Sequence, residues 1–159
     1  DCLPEGFELF DGNKTHNLWP HLRINKFGKP NPFIQYPDVV IIDSRNARLP
    51  IVSMVLDVKN STIKFGKRKA KNPKPAYRNQ TIVAAFSTGT EICGLIQAPG
   101  ERDEKKECLS RPEEWDLEDV GQNPKRFIRF TIDPSLLIDQ PANDAAKKEL
   151  KEALENYLL

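Results

Sequence analysis

Two stretches decide how this chain reads: Tyr36-Pro37-Asp38-Val39-Val40-Ile41-Ile42 and Met54-Val55-Leu56-Asp57-Val58-Lys59. Val39 to Ile42 is a run of branched aliphatic residues bounded by Pro37 and Ser44, the signature of a short buried strand. Ile51 to Lys59 is a second strand, again rich in β-branched and aliphatic residues. Between them Ser44 to Pro50 forms a turn, holding Asn46 and closed by Pro50. So short a connection favours an antiparallel hairpin, because a parallel pair needs a long crossover. Side chains alternate along a strand, so Asp57 and Lys59 share one face while Val58 takes the other. In such a hairpin the start of the first strand lies beside the end of the second. Asp38, Asp57 and Lys59 therefore meet at one edge of an otherwise apolar pair of strands.

That placement is costly unless something balances it. Two carboxylates brought together repel, and burial makes each harder to ionise. A hard divalent cation relieves both effects, since carboxylate oxygens, a backbone carbonyl and waters are the donors that Mg²⁺ or Mn²⁺ takes. Lysine beside such an ion suits the orienting of a water, or the stabilising of charge that develops on a phosphate. Phosphodiester hydrolysis is the chemistry these residue types point to.

Outward from the hairpin, Asn60 to Lys74 is a polar, basic linker. Lys59, Lys64, Lys67, Arg68, Lys69, Lys71, Lys74 and Arg78 follow one another with no acid among them. A charge run of this kind is a solvated loop or a cationic strip for a phosphate backbone, and its place directly after Lys59 favours the strip. Pro75 fits the first position of a helix, where its missing N–H costs nothing, and Gly89 fits the end of it. Tyr77, Thr81, Ala84 and Ala85 fall on roughly one face, with Ile82, Val83 and Phe86 around them, so the spacing predicts a largely buried helix to Thr88. Ile92 to Ala98 is a third strand.

Beyond it, Pro99 to Asn123 reads as a charged insertion in which acids outnumber bases from Glu101 to Asp119. Arg126 to Ile132 alternates apolar and basic residues and reads as a peripheral strand. Asn143 is the expected cap of a last helix through Leu158, with Ala146, Leu150, Ala153, Leu154 and Tyr157 as its apolar stripe. The first 36 residues are irregular, with Leu18 to Ile24 readable as an edge strand interrupted by Pro20. The order implies one α/β domain over residues 1–159: a mixed β-sheet flanked by helices.

Composition excludes several alternatives. Hydrophobic residues make up 38% and charged residues 30% of the 159, within the globular range, and no apolar run is long enough for a bilayer. The opening Asp1-Cys2-Leu3-Pro4 has no charged n-region and no apolar h-region, and lacks Met, as expected of a piece of something longer. Cys2, Cys93 and Cys108 are too few and scattered for a disulfide framework or a zinc site, and their odd number favours a reducing, cytoplasmic setting. Asn13, Asn60 and Asn79 each open a glycosylation tripeptide, a pattern common by chance. No nucleophilic triad and no glycine-rich phosphate loop stands out.

Pro37-Asp38 followed by Asp57-Val58-Lys59 resembles the signature of the PD-(D/E)XK nuclease superfamily, and the helix and strand over Pro75 to Ala98 look like that family's next two elements. The resemblance spans residues 33–98 and is nearest to the McrC-type branch of modification-dependent restriction systems. It implies a restriction-endonuclease-like fold, with Asp38 and Asp57 as metal ligands beside the Val58 carbonyl, and Lys59 as a catalytic residue. It implies Mg²⁺ or Mn²⁺ as cofactor. Gln80 is the candidate for the glutamine that several branches place on the helix, although Ala84 stands where a Gln-x-x-x-Tyr motif has its tyrosine. Glu5 and Glu8 are the only upstream candidates for the glutamate that many members carry on a preceding helix, and no helix pattern holds them.

The resemblance further implies nucleic acid as partner, DNA ahead of RNA, no membrane, a partner domain or subunit for target recognition, and a homodimer where both strands of a duplex are cut. Lys64, Lys67, Arg68, Lys69, Lys71, Lys74 and Arg78 are the expected phosphate contacts. Three other readings compete: a silent nucleic-acid-binding scaffold of the same fold, an RNA endonuclease of the cap-snatching kind, and a partner-binding domain. His16 and His21 precede Pro37-Asp38, where the cap-snatching branch places a metal-binding histidine, but two histidines in a loop-rich start fit chance placement better. Trp19 and Trp115 read as anchors of a small core rather than stacking platforms.

Overall fold

A computed structural model describes residues 2–11, 37–59, 73, 75–98, 109–118, 121–133, 135 and 137–159. In chain order these form β1 (Phe7–Asp11), β2 (Val39–Asp43), β3 (Ile51–Lys59), α1 (Pro75–Thr88), β4 (Ile92–Gln97), β5 (Leu109–Asp116), β6 (Arg126–Ile132) and α2 (Gln140–Leu158). The strands make one six-stranded mixed sheet in the order β1-β2-β3-β4-β6-β5. Among the described residues no helix is long and apolar enough to cross a membrane. Leu18 to Ile24, both histidines, Trp19 and the linker lysines lie outside the described residues.

The hairpin is antiparallel, with Val39 opposite Leu56 and Asp43 opposite Ile51. After β3 the chain crosses over through α1 and returns in β4, which is therefore parallel to β3, with Met54 beside Ile92 and Lys59 beside Gln97. β6 continues the parallel set beside β4, and β5 closes the sheet antiparallel to β6. Met54, Val55, Leu56 and Asp57 are buried in succession, the mark of a central strand covered on both faces. On the α1 side the core is built from Val40, Val55, Ala85, Cys93, Leu95 and Phe127. On the α2 side it is built from Ile41, Met54, Leu56, Ile128, Phe130 and Leu154.

Pro75 opens α1 as expected, and Gly89, at φ 74°, ends it. The helix is less buried than its composition predicts: Thr81, Ala84 and Ala85 are its buried residues, while Val83 and Phe86 are 40% and 57% exposed. It packs on β3 and β4 with one side only.

Four expectations need correction. The irregular start contains β1, paired antiparallel to β2 with Phe7 opposite Asp43 and Asp11 opposite Val39. The supposed insertion contains β5, whose Pro112, Glu113 and Glu114 give it the composition of a loop because it is an outer edge strand facing solvent. β6 is interior rather than peripheral: it sits between β4 and β5, with Phe127, Ile128, Arg129 and Phe130 all buried. Its basic alternation misleads because Arg129 is neutralised within the sheet by Glu113 of β5, their closest atoms 2.6 Å apart. Finally, α2 is capped by Asp139, whose carboxylate accepts from the Ala142 N–H at 3.0 Å. Asn143 lies inside the helix and donates its amide to the Leu137 carbonyl at 2.9 Å. The apolar stripe from Ala146 to Tyr157 packs on the sheet as its spacing predicts.

Candidate active site

Four polar residues converge where β2 begins and β3 ends. Asp38 stands one residue before β2, Asp57 and Lys59 close β3, and Gln80 comes from the first half of α1. Asp38 Oδ2 accepts a hydrogen bond from the Val58 N–H at 2.8 Å, so this carboxylate is fastened across the hairpin to the strand that carries the others. An extended strand sends the N–H and C=O of one residue toward the same neighbour, so the Val58 carbonyl is directed to the Asp38 side as well.

Lys59 Nζ donates to Gln80 Oε1 at 3.0 Å and lies 3.3 Å from Asp57 Oδ2. The ammonium also sits 5.2 Å from the centre of the Tyr77 ring, a cation–π distance. A helix residue, a strand residue and an aromatic face thus hold a lysine that is mostly withdrawn from solvent. Asp57 is 2% exposed. Among the described residues its Oδ2 finds no hydrogen-bond donor: the ammonium meets it as a charge, without the alignment of a hydrogen bond. Burial pushes the Asp57 carboxyl above its ordinary 3.8, and the nearby charge of Asp38 adds to the rise. Lys59 and the backbone of Asp38 oppose it without cancelling it. Lys59 offsets part of the desolvation cost of this buried oxygen, and the carboxyl stays harder to ionise than a free one despite that partner.

Three polar neighbours, Arg129, Gln97 and Thr131, escaped the sequence reading. The register sets Asp57, Leu95 and Arg129 in one row across β3, β4 and β6, and Lys59, Gln97 and Thr131 in the next. All of these side chains share the α1 face by alternation. Gln97, 6% exposed, is a buried polar residue directly beside Lys59. The row belongs to strands far apart in sequence, so the only local signal was an amide ending an apolar strand.

Neither upstream glutamate joins the site. Glu5 lies in the turn before β1, and Glu8 lies opposite Ile42, toward the far end of β2 from Asp38. Asp11, opposite Val39, comes to the right end of the sheet. Alternation from Phe7 puts it on the α2 face, opposite to Asp57. Among the described residues no three His, Cys, Asp or Glu side chains gather into one group, so Asp38 and Asp57 stand as a pair. Of the expected phosphate contacts, Arg78 alone is described, and it borders a cavity of about 240 Å³ with Trp115, Asp116 and Phe127. Lys64, Lys67, Arg68, Lys69, Lys71 and Lys74 lie outside the described residues.

No family model, no curated protein and no solved structure matches this chain.

Proposed function

We propose that this chain is a metal-dependent nuclease with a restriction-endonuclease-like fold, hydrolysing phosphodiester bonds at the cluster of Asp38, Asp57, Lys59 and Gln80. The observation that carries the reading is the buried Asp57 Oδ2, which has the Lys59 ammonium at 3.3 Å but, among the described residues, no aligned hydrogen-bond donor, and a second carboxylate close by. Such an oxygen fits a divalent cation, and the donors around it suit a hard one: two carboxylates and a strand carbonyl. Asp38, Asp57 and the Val58 carbonyl would hold Mg²⁺ or Mn²⁺. When bound, such an ion supplies a more acidic water and neutralises charge at the phosphate.

The rest follows from the chain's own groups. Gln80 accepts one hydrogen of the Lys59 ammonium and leaves the others free to orient a water or to meet the phosphate oxygens. Tyr77 gives the ammonium a face to rest on, so its position is set before substrate arrives. Asp38, tied to Val58, keeps the two carboxylates from turning away from one another. The order of β2, β3, α1 and β4, with the hairpin antiparallel and the crossover parallel, suits the nuclease resemblance. A cytoplasmic setting and DNA ahead of RNA belong to this reading, as do a partner for target recognition and a dimer on duplex substrate.

The test is cleavage by the purified chain of supercoiled plasmid and of single-stranded RNA, with Mg²⁺ or Mn²⁺, beside EDTA and Asp57→Ala controls. Metal-dependent cleavage that disappears in the variant is expected, and the substrate cut decides DNA against RNA. Salt-sensitive binding that survives EDTA, with no cleavage of either polymer, would replace the nuclease with a scaffold.

A further inference from the structure

We propose that the cavity between the start of α1 and β5 is a subsite for one unstacked base of a single-stranded nucleic acid. The claim rests on the nuclease reading for its substrate class but on different residues for its geometry. The cavity, about 240 Å³, is lined by Pro73, Pro75, Arg78, Trp115, Asp116 and Phe127. That is below the ~300–1,000 Å³ of pockets for drug-sized ligands, a size that suits a single planar ring system. Phe127 and Pro73, both buried, form the floor, and the half-buried Trp115 with the exposed Pro75 makes the flat, rigid wall on which a base can stack regardless of sequence. Arg78 supplies a guanidinium at the rim for the phosphate that follows the base, and Asp116 an exposed carboxylate that accepts from a base N–H.

The platform is fixed in advance. Trp115 is half-buried, meets Phe127 edge to face at 5.9 Å between ring centres, and carries the Arg129 guanidinium 5.3 Å from its own ring centre. Arg129 is in turn bonded to Glu113 through Nε at 2.8 Å. An indole held at its edge and over its ring has little rotational freedom left to lose on binding. Trp115 stands three strands from β3, which at ~4.8 Å per strand is roughly 15 Å from Asp57, on the same face of the sheet. A base bound here would therefore lie a few nucleotides from the bond at the metal cluster, within one continuous strand. Arg78, the last cation of the run that begins at Lys59 in the sequence, lies at this rim, and its charge matches a polyanion arriving there. Duplex does not fit, because its bases are stacked inward.

The experiment uses the full chain carrying Trp19→Phe, so that Trp115 is the sole tryptophan, excited at wavelengths where the three tyrosines do not absorb. Its emission is titrated in EDTA with a ten-nucleotide single-stranded DNA and with the matching blunt duplex. Emission quenched by the single strand and not by the duplex is expected, with Arg78→Ala weakening the single-strand affinity. Trp115→Phe, which keeps an aromatic ring in the core, and Trp115→Ala are compared by fluorescence anisotropy of a labelled strand. The alanine variant is expected to bind roughly 5- to 100-fold more weakly and the phenylalanine variant to retain most of the affinity. Binding by anisotropy with unmoved Trp115 emission overturns the subsite, as does an alanine variant of unchanged affinity, or no binding to either DNA. Quenching without metal-dependent cleavage keeps the subsite and removes the nuclease reading; cleavage without quenching does the reverse.

Discussion

Asp57 carries a carboxyl whose burial costs the fold desolvation and whose oxygens the proposed chemistry uses. Its carboxyl titrates above the usual value because it is buried, so the folded state holds the proton more tightly than the unfolded chain does. The sign follows: Asp57's contribution to stability is intact below about pH 3.8 and is lost as pH rises through its folded value. Asp57→Asn removes the charge and keeps the shape, and should raise the melting temperature of the metal-free protein at pH 7 by about 2–4 °C, read by calorimetry. The same variant should lose the stabilisation that Mn²⁺ gives the wild type. A lower melting temperature in EDTA would mean that the Lys59 ion pair outweighs burial.

Gln80 makes the second claim at this scale. It touches Lys59, not substrate, so it is a positioning residue. Gln80→Ala should lower kcat by roughly 10- to 100-fold with KM little changed, while Gln80→Glu, which keeps an acceptor, should retain most of the rate. An effect confined to KM would assign Gln80 to binding instead.

At the scale of elements, the places where sequence and structure part company have a common cause. β2, β3, α1 and β4 are legible because each is locally complete: an apolar run, a turn, a proline at the start of the helix and a glycine at its end. β5 is an edge strand, and solvent on its open side lets it carry Pro112 and two glutamates, so no alternation marks it. β6 looks peripheral only until β5 is known, since Glu113 is what allows Arg129 to be buried. β1 is five residues long and exposes Leu9, which spoils its pattern.

Gly94 shows a constraint of the same nonlocal kind. It pairs with Leu56 on one side and Ile128 on the other, and a Cβ there would run into the Ile128 backbone. Backbone cannot rotate aside as a side chain can. Gly94→Ala should destabilise by about 1–3 kcal/mol, measured by urea unfolding, even though strand propensity favours alanine over glycine. At α2, Asp139→Ala should cost about 1 kcal/mol by the same measurement, since it removes the cap of the Ala142 N–H. Unchanged unfolding midpoints in the two variants would contradict the close packing of Gly94 on β6 and the capping of α2 by Asp139.

For the molecule as a whole, the residues of the proposed site gather at one end of the sheet. β3, β4 and β6 run parallel, so their carboxyl ends lie together, and β2, antiparallel to β3, begins at that same end. Asp38, Asp57 and Lys59 were legible because one hairpin carries all three, and strand alternation is a local rule. Gln80 was readable only through the resemblance, and its contact with Lys59 needed the crossover helix to be placed on the sheet. Gln97, Arg129 and the Trp115 cavity were not legible at all, because they depend on which strand lies beside which, and no local pattern sets the order β4-β6-β5.

The central claim is that this end of the sheet is built around a divalent cation. Anomalous diffraction from a crystal of the full chain grown with Mn²⁺ tests it most directly. A manganese peak within about 2.0–2.3 Å of oxygens from both Asp38 and Asp57 is the expected result. A well-ordered site with the two carboxylates in place and no manganese between them would contradict it.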